Sequence, residues 1–341
     1  MEKGLTRYDP WVHNMSGPFD GKTILIIGGT GSFGMKFAEI LLRDHVPSSI
    51  RIFSRGELNQ MLMEQKFRDE RLRFFIGDVR DRDRISRAMN GVEIVVHAAA
   101  LKQVPACEYN PIEAVKTNIN GTVNVIDAAI DNCVDRVMAI STDKAVHPVN
   151  LYGATKMVAE KLMIQGNSYA GGKVTKFSCV RYGNVIGSRG SVIPIFQEQM
   201  KQGHLTITDE RMTRFWITLE QGVQFVMDSL QRMKGGEIFI PRLPSMRVVD
   251  LADAIAPALE RRIIGIRPGE KIHEVLLTED EARHSCDFGT YFTIEPEHAF
   301  WQKEEVPGGR PLPDSFRYSS DTNDVWLGPD ELKRIIAIGA R

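Results

Sequence analysis

Short apolar runs and amphipathic stretches alternate along the first half of the chain. The runs are Thr23–Ile27, Ile50–Phe53, Phe74–Ile76, Ile94–Val96, Val137–Ile140 and Phe177–Val180; the stretches lie near 33–43, 57–69, 81–89, 111–132 and 151–169. Runs this uniformly apolar suit strands covered on both faces, and the intervening 3.6-residue periodicity supplies the covering helices. The pattern predicts an α/β fold, a Rossmann-like doubly wound parallel sheet. Residues 1–20 are polar and aperiodic, with Pro10 and Pro18, and are expected to form an N-terminal extension. Past residue 187 the rhythm loosens. Segments 188–217 and 241–298 carry more proline, glycine and charge, whereas 218–233 is again amphipathic. The expected division is therefore a doubly wound domain of 21–187 plus 218–240, with a smaller, interleaved C-terminal lobe of 188–217 plus 241–335. Within that lobe 302–314, with Pro307, Gly308, Gly309, Pro311 and Pro313, is expected to be a loop or linker.

Composition narrows the partners. A chain of 341 residues that is 43% hydrophobic can bury a large core. A net charge of -1 gives no reason to expect nucleic acid or another polyanion, although a local basic patch can still grip one phosphorylated ligand. Cys107, Cys133, Cys179 and Cys286 show neither metal-ligand nor redox spacing, so no metal site is expected and a reducing, cytoplasmic setting is the simpler reading. No apolar run reaches membrane-spanning length and no signal peptide is visible, so no membrane partner is expected.

Candidate chemistry begins where the first apolar run ends. Gly28-Gly29-Thr30-Gly31-Ser32-Phe33-Gly34 places Gly28, Gly31 and Gly34 in G-x-x-G-x-x-G spacing between a strand and a helix. Glycine permits the tight turn there, and the helix N-terminus offers N–H groups to a pyrophosphate. The second run ends in Ser54-Arg55 where an NAD site usually has a carboxylate, which favours the 2′-phosphate of NADP, with Glu57 close by as the competing feature. Asp78 and Val79 follow the third run, Asp78 being a candidate for the adenine edge or for a helix cap. His97-Ala98-Ala99-Ala100 ends the fourth with small side chains that let the backbone approach a cofactor or simply pack tightly. Asn118 is a polar residue in an apolar pattern, suited to orienting the site or to serving as a buried hydrogen-bonding spacer.

The fifth run leads into Ser141-Thr142-Asp143-Lys144, followed by Tyr152-Gly153-Ala154-Thr155-Lys156. On a helix Tyr152 and Lys156 share a face, and an adjacent ammonium favours the phenolate of a tyrosine whose ordinary pKa is about 10. Tyr-x-x-x-Lys alone suggests redox at an alcohol; an acid and a further amine beside it suggest a step after the oxidation.

In this order, these segments resemble the extended short-chain dehydrogenase/reductase family, and within it the group of inverting UDP-N-acetylglucosamine 4,6-dehydratases that opens pseudaminic acid biosynthesis. Further matches are Arg181-Tyr182-Gly183-Asn184-Val185, Gly187-Ser188-Arg189-Gly190-Ser191, Thr208-Asp209, Arg211-Met212-Thr213-Arg214-Phe215 and Arg267-Pro268-Gly269-Glu270-Lys271. The likeness runs from residue 21 to about 330. Ile27 stands where family members commonly have threonine, and Tyr152 stands where a related dehydratase group has methionine. The resemblance implies NADP, held by Gly28, Thr30, Gly31, Ser32, Phe33, Gly34, Ser54, Arg55, Asp78, Val79, Ala98, Ala99, Ala100, Lys102, Asn118, Tyr152 and Lys156. It implies a UDP-sugar held by Lys102, Arg181, Asn184, Arg189, Val192, Thr208, Arg214, Arg267 and Glu270, and a homo-oligomer, dimer or hexamer.

The implied chemistry is an internal dehydration. Tyr152, set by Lys156, takes the C4 hydroxyl proton as hydride leaves for NADP; Lys144, if held neutral, takes the C5 proton acidified by the new ketone; Asp143, protonated, expels the C6 hydroxyl, with Thr142 polarising the C4 oxygen. Retaining relatives typically carry Asp-Glu at the acid and base positions, so Asp143-Lys144 is the discriminating pair. Two other classes remain: an epimerase using the same Tyr152 and Lys156 with no acid to expel a hydroxyl, and a non-catalytic NADP sensor.

Overall fold

The computed structural model describes residues 17–172, 174–186, 192–296 and 308–339. Six strands fall where the apolar runs predict them: β1 (Thr23–Ile27), β2 (Ser49–Ser54), β3 (Leu72–Ile76), β4 (Ile94–His97), β5 (Arg136–Thr142) and β6 (Lys176–Tyr182). They pair in parallel in the order β3-β2-β1-β4-β5-β6. The chain therefore winds outward from β1 to β3 and restarts on the other side of β1 with β4. That reversal opens a crevice at the carboxyl ends of β1 and β4, where open α/β sheets bind ligands. Helices α1 (Ser32–Asp44), α2 (Glu57–Phe67) and α3 (Arg82–Met89) follow the first three strands. The core beneath them includes Leu25, Ile26, Phe37, Phe53, Val95, Val137 and Phe177, all essentially inaccessible.

Between β4 and β5 the single helix expected near 111–132 is interrupted. The segment runs α4 (Val104–Tyr109), α5 (Pro111–Val115), a π-helical turn at Lys116–Asn120 and α6 (Gly121–Asp131). A π turn inserts one extra residue per hydrogen-bonded ring and commonly marks a functional site; here it carries Asn118. Helix α7 (Leu151–Ala170) then leads into β6.

Beyond β6 the chain adds β7 (Asn184–Ile186), α8 (Val192–Met200), β8 (His204–Ile207), β9 (Thr213–Thr218), α9 (Leu219–Arg232), β10 (Ile238–Pro241), β11 (Ser245–Arg247), α10 (Val248–Ile255) and β12 (Glu260–Ile263). The sheets β11-β9-β7 and β12-β8 surround a second core of Ile193, Phe196, Leu205, Ile207, Trp216, Met246 and Leu251. Strands β13 (Val275–Leu277), β14 (Ser285–Asp287), β15 (Tyr291–Ile294), β16 (Arg310–Pro311) and β17 (Tyr318–Ser319) follow.

The boundary expected at residue 240 is not where the large sheet ends. Strand β10 joins β6 in parallel, and β15, β14 and β16 continue antiparallel from it, making a ten-stranded sheet. Sequence periodicity missed this because three- and four-residue strands offer no reliable alternation. Part of 241–335 thus packs with the first core, Phe292 and Tyr318 included. Much of the N-terminal extension lies outside the described residues, as does part of the 302–314 loop. Among the described residues no helix is long and apolar enough to cross a membrane, and no group of histidine, cysteine and carboxylate residues could hold a metal ion.

Candidate active site

A cleft of about 780 Å³ opens at the carboxyl ends of the parallel strands. Strand register explains its walls: Ile27 pairs with Phe53 and His97, and Thr142 pairs with Tyr182, so the residues after each strand converge on one edge. Of the predicted cofactor residues, Gly28, Thr30, Gly31, Ser32, Phe33, Gly34, Ser54, Arg55, Val79, Ala98, Ala99, Ala100, Lys102, Tyr152 and Lys156 line it, as do Thr142, Lys144 and Asn184.

One end is a cradle of backbone. Gly28 has φ +84°, and a Cβ there would lie 2.8 Å from the Ala99 nitrogen; a Cβ at Gly34 would lie 2.5 Å from Gly29. The turn is thus pressed between α1 and the β4 end, and only glycine fits. Helix α1 begins at Ser32 with no side chain capping it and no acidic residue in its first turn. An uncapped N-terminus facing a cleft attracts an anion, so the residues present fit a dinucleotide pyrophosphate. Arg55 lies at the rim with its side chain mostly exposed, 3.9 Å from Asp78. Glu57, the competing carboxylate, is instead the first residue of α2 and does not line the cleft.

The other end is dense with charge. Asp143 is completely buried; its Oδ1 accepts from Thr142 Oγ1 at 2.8 Å and from Lys144 Nζ at 3.1 Å, while its Oδ2 has no hydrogen-bond partner. Tyr152 enters on the first turn of α7, which Asn150 caps by accepting from the Gly153 N–H at 2.7 Å. Gly153 has to be glycine, because a Cβ there would sit 2.1 Å from the Lys144 carbonyl oxygen. This contact presses Tyr152 against the Thr142–Lys144 turn. Burial lifts the Tyr152 phenol to about 12, against the pull of Lys144 and a hydrogen bond with Thr142.

Two expectations about this end need correction. The influence on the tyrosine comes first from another cation than expected: Lys156 Nζ donates to the Ile140 carbonyl at 2.7 Å and burial holds it below its ordinary value, while Lys144 draws the Tyr152 phenol down. Nor do the surroundings favour a neutral Lys144. Burial acts to lower it, but Asp143 and then Glu274 outweigh that and hold it above its ordinary value.

Several predicted binding residues are engaged elsewhere. Arg181 is buried with its fork on Glu160 (2.8 and 3.1 Å), on Glu281 (2.9 and 3.0 Å) and on the Leu276 carbonyl, so it is a structural ion pair and not a diphosphate ligand. Arg214 spends its guanidinium on the Thr213, Lys271 and Ile272 carbonyls and lies 3.8 Å from Glu274. Asn118 does not reach the cleft; it brackets Leu101 N–H and C=O at 2.8 and 2.9 Å and donates to Thr155, which makes it the spacer that holds the β4 end against α7. Asp78 turns to Arg80, accepting at 2.7–3.0 Å. Val192 packs into the second core and Thr208 follows β8; neither lines the cleft. Arg267 and Glu270 occupy a loop tied to α7 by Asn150 donating to the Gly269 carbonyl at 2.7 Å, and they too lie off the cleft wall. Arg189 lies outside the described residues.

Sequence reasoning missed Glu274 and the part played by Lys271. Glu274 is buried, 3.6 Å from Lys144, 3.7 Å from Lys271 and 3.8 Å from Arg214, and Lys271 Nζ donates to the Val146 carbonyl at 2.6 Å. A glutamate three residues past Lys271 gave no signal by itself; only a buried carboxylate does.

Residues 24–296 match the family described as "Polysaccharide biosynthesis protein". A Campylobacter jejuni subsp. jejuni serotype O:2 protein named "UDP-N-acetylglucosamine 4,6-dehydratase (inverting)" is 50% identical over 327 residues, covering 93% of this chain and 98% of that one. A Rickettsia rickettsii protein named "UDP-glucose 4-epimerase" is 44% identical over 284 residues, covering 81% and 83%. The X-ray structure of Pen from Bacillus thuringiensis superposes with a TM-score of 0.88 at 39% identity, covering 95% of this chain and 99% of that one.

Proposed function

The chain belongs to the polysaccharide biosynthesis protein family, and from that membership we propose that it is a nucleotide-sugar dehydratase that removes water from UDP-N-acetylglucosamine across C5 and C6 of a 4-keto sugar, inverting C5. The observation that carries the reading is Asp143: a fully buried carboxyl with Oδ1 held by Thr142 and Lys144 and Oδ2 left without a partner. Leaving a buried oxygen unpaired costs roughly 1–3 kcal/mol, and although Asp143 is not itself on the cleft wall, Thr142 and Lys144, the two groups that hold its Oδ1, are. NADP bound along the glycine turn would supply the hydride acceptor at C4 and return the hydride at C6, leaving no net oxidation.

The chain's own groups divide the remaining work. Tyr152 accepts the C4 hydroxyl proton as its phenolate, the form that the Lys144 charge and the Thr142 hydrogen bond favour against burial. The ketone at C4 acidifies C5; once Lys144 has passed its own proton to Asp143, neutral Lys144 takes the C5 proton, while Asp143 gives the proton it received to the C6 hydroxyl as it leaves as water. Lys156, held by the Ile140 carbonyl, orients the β5 end and the nicotinamide ribose. Lys102 and Asn184 offer the sugar diphosphate polar groups on the cleft wall. Arg55 selects NADP through the 2′-phosphate. The cofactor occupies the unit of the large sheet, 21–187 plus 218–240 with the added strands β14–β16, and the UDP-sugar sits between it and the rest of the lobe. The active species is a cytoplasmic homo-oligomer, and the product enters pseudaminic acid synthesis.

The Rickettsia relative favours a second reading, 4-epimerisation. An epimerase has no use for an acid and a base at Asp143 and Lys144. Incubation with UDP-N-acetylglucosamine in deuterated water separates the two. Dehydration yields a 4-keto-6-deoxy sugar of inverted C5 configuration, deuterated at C5, with no net NADPH; a 4-hydroxy epimer overturns the assignment.

A further inference from the structure

The acid and base in this site hold their protons in the wrong places for the reaction. Dehydration needs Asp143 protonated and Lys144 neutral, whereas an aspartate and a lysine 3.1 Å apart with a second carboxylate at 3.6 Å form an ion pair. Both forms carry the same number of protons. A single transfer from Lys144 Nζ to Asp143 Oδ1 interconverts them: the N–H bond breaks, its electron pair stays on nitrogen, and an O–H bond forms on the carboxylate. No outside acid or base is required, and the hydrogen bond that joins the two groups is the path.

What sets the balance between the two forms is the rest of the charge around Lys144. From its own turn it meets Asp143; from α7, Tyr152; from β9, Arg214; from the loop after β4, Lys102; and from the segment before β13, Lys271 and Glu274. Among these, Asp143 and Glu274 are the carboxylates. Glu274 is anchored through its backbone, its N–H donating to Ser320 at 2.9 Å, so its carboxylate is aimed by the fold and not by a flexible loop. Its Oε1 faces Lys144 and Arg214, and its Oε2, which has no hydrogen-bond partner, faces Lys271 at 3.7 Å.

We propose that Glu274 is a positioning residue acting through Lys144: it holds the acid–base pair in the ionic form Asp143⁻/Lys144⁺ before substrate binds, and so sets how readily the proton crosses to arm both groups. The proposal deepens the dehydratase reading and rests on it for the identity of acid and base. The raised proton affinity of Lys144, caused by Asp143 and Glu274 against the opposing effect of burial, is in keeping with it. Glu274 touches no reacting atom.

The test is Glu274→Gln, which removes the charge and keeps the shape. Competitive acetylation of Lys144, read by mass spectrometry across pH on the purified protein without substrate, follows Lys144 alone. The midpoint is expected to fall by on the order of one pH unit, about tenfold in proton affinity, as for loss of an opposite charge within 4–6 Å. Glu274→Asp keeps the charge and is expected to restore most of the midpoint. A purely structural Glu274 leaves the midpoint in place in Glu274→Gln while melting temperature drops; that result overturns the proposal. A second readout uses the 4-keto-6-deoxy product, whose C5 proton exchanges with deuterated water by Lys144 alone. The acid limb of that exchange moves to lower pH in Glu274→Gln, and an unmoved limb counts against it. If the parent protein turns over no UDP-N-acetylglucosamine, the dehydratase reading fails, while the acetylation midpoint still decides the role of Glu274.

Discussion

The two ends of the cleft are built by opposite strategies. The cofactor end is backbone: Gly28, Gly31 and Gly34, an uncapped helix start and three alanines, all adjacent in sequence to the strand ends they extend. The acid–base end is charge, drawn from positions far apart in the chain: Asp143, Lys144 and Tyr152 on one side, Arg214, Lys271 and Glu274 on the other. Even the titratable side chains of the two ends behave oppositely. Burial, then Lys156, pushes His97 beneath the cofactor end down to about 3, whereas Asp143 and Glu274 hold the half-buried Lys144 above its ordinary value. A dinucleotide backbone needs a shape that local sequence can encode. Moving protons needs a field, and a field requires groups that only folding brings together.

The sharpest test of that contrast is Asp143→Asn. Dehydration is expected to fall by about 10³-fold, within the range for loss of a general acid, while cofactor binding measured by fluorescence titration stays unchanged. Equal loss of both would mean that the ends are not independent.

Arg181→Met comes next. Unpairing Glu160 and Glu281 from their shared guanidinium is expected to cost about 3–5 kcal/mol of stability in chemical denaturation, as when one partner of a buried ion pair is removed. A raised KM with stability intact would return Arg181 to the substrate-binding role expected from the sequence.

Acid titration probes the cofactor end. The unfolded chain protonates His97 near 6.5, whereas the folded protein refuses that proton until about 3. Stability contributed by His97 is therefore present above 6.5 and lost as pH falls through that window, at about 1.4 kcal/mol per pH unit for one proton. In His97→Asn the loss between pH 6 and 4 is expected to be shallower than in the parent, and parallel curves would remove the argument.

Arg55→Glu has the smallest expected effect. NADP binding should weaken about tenfold with NAD binding unchanged or improved, the loss of one partly exposed charge-assisted contact. No change in preference would leave the 2′-phosphate without a reader.

What was legible in the chain follows the same division. The parallel strands and the glycine turn could be read because each depends on residues within a few positions of one another, where hydrophobic period and backbone sterics decide the outcome. Tyr152, Thr142, Asp143 and Lys144 were readable as residue types. Their states were not: the cation that draws the Tyr152 phenol down is Lys144, from the preceding turn, while Lys156 on the same helix bonds the Ile140 carbonyl. The arginines show the limit most plainly. Arg181 and Arg214 sit in motifs that suggest phosphate binding, yet the fold commits one to two carboxylates and the other to loop carbonyls.

By itself, then, the sequence determined the doubly wound sheet, the place of the glycine turn and the kinds of group available for acid–base work, because these are set by local period, turn sterics and side-chain chemistry. Tertiary structure alone decided which arginines are tied to carboxylates or carbonyls, where Glu274 points, that β14–β16 lengthen the large sheet, and that Asp143, Lys144 and Glu274 meet. Coulomb energies depend on distance and burial, and neither is a property of neighbours in the chain.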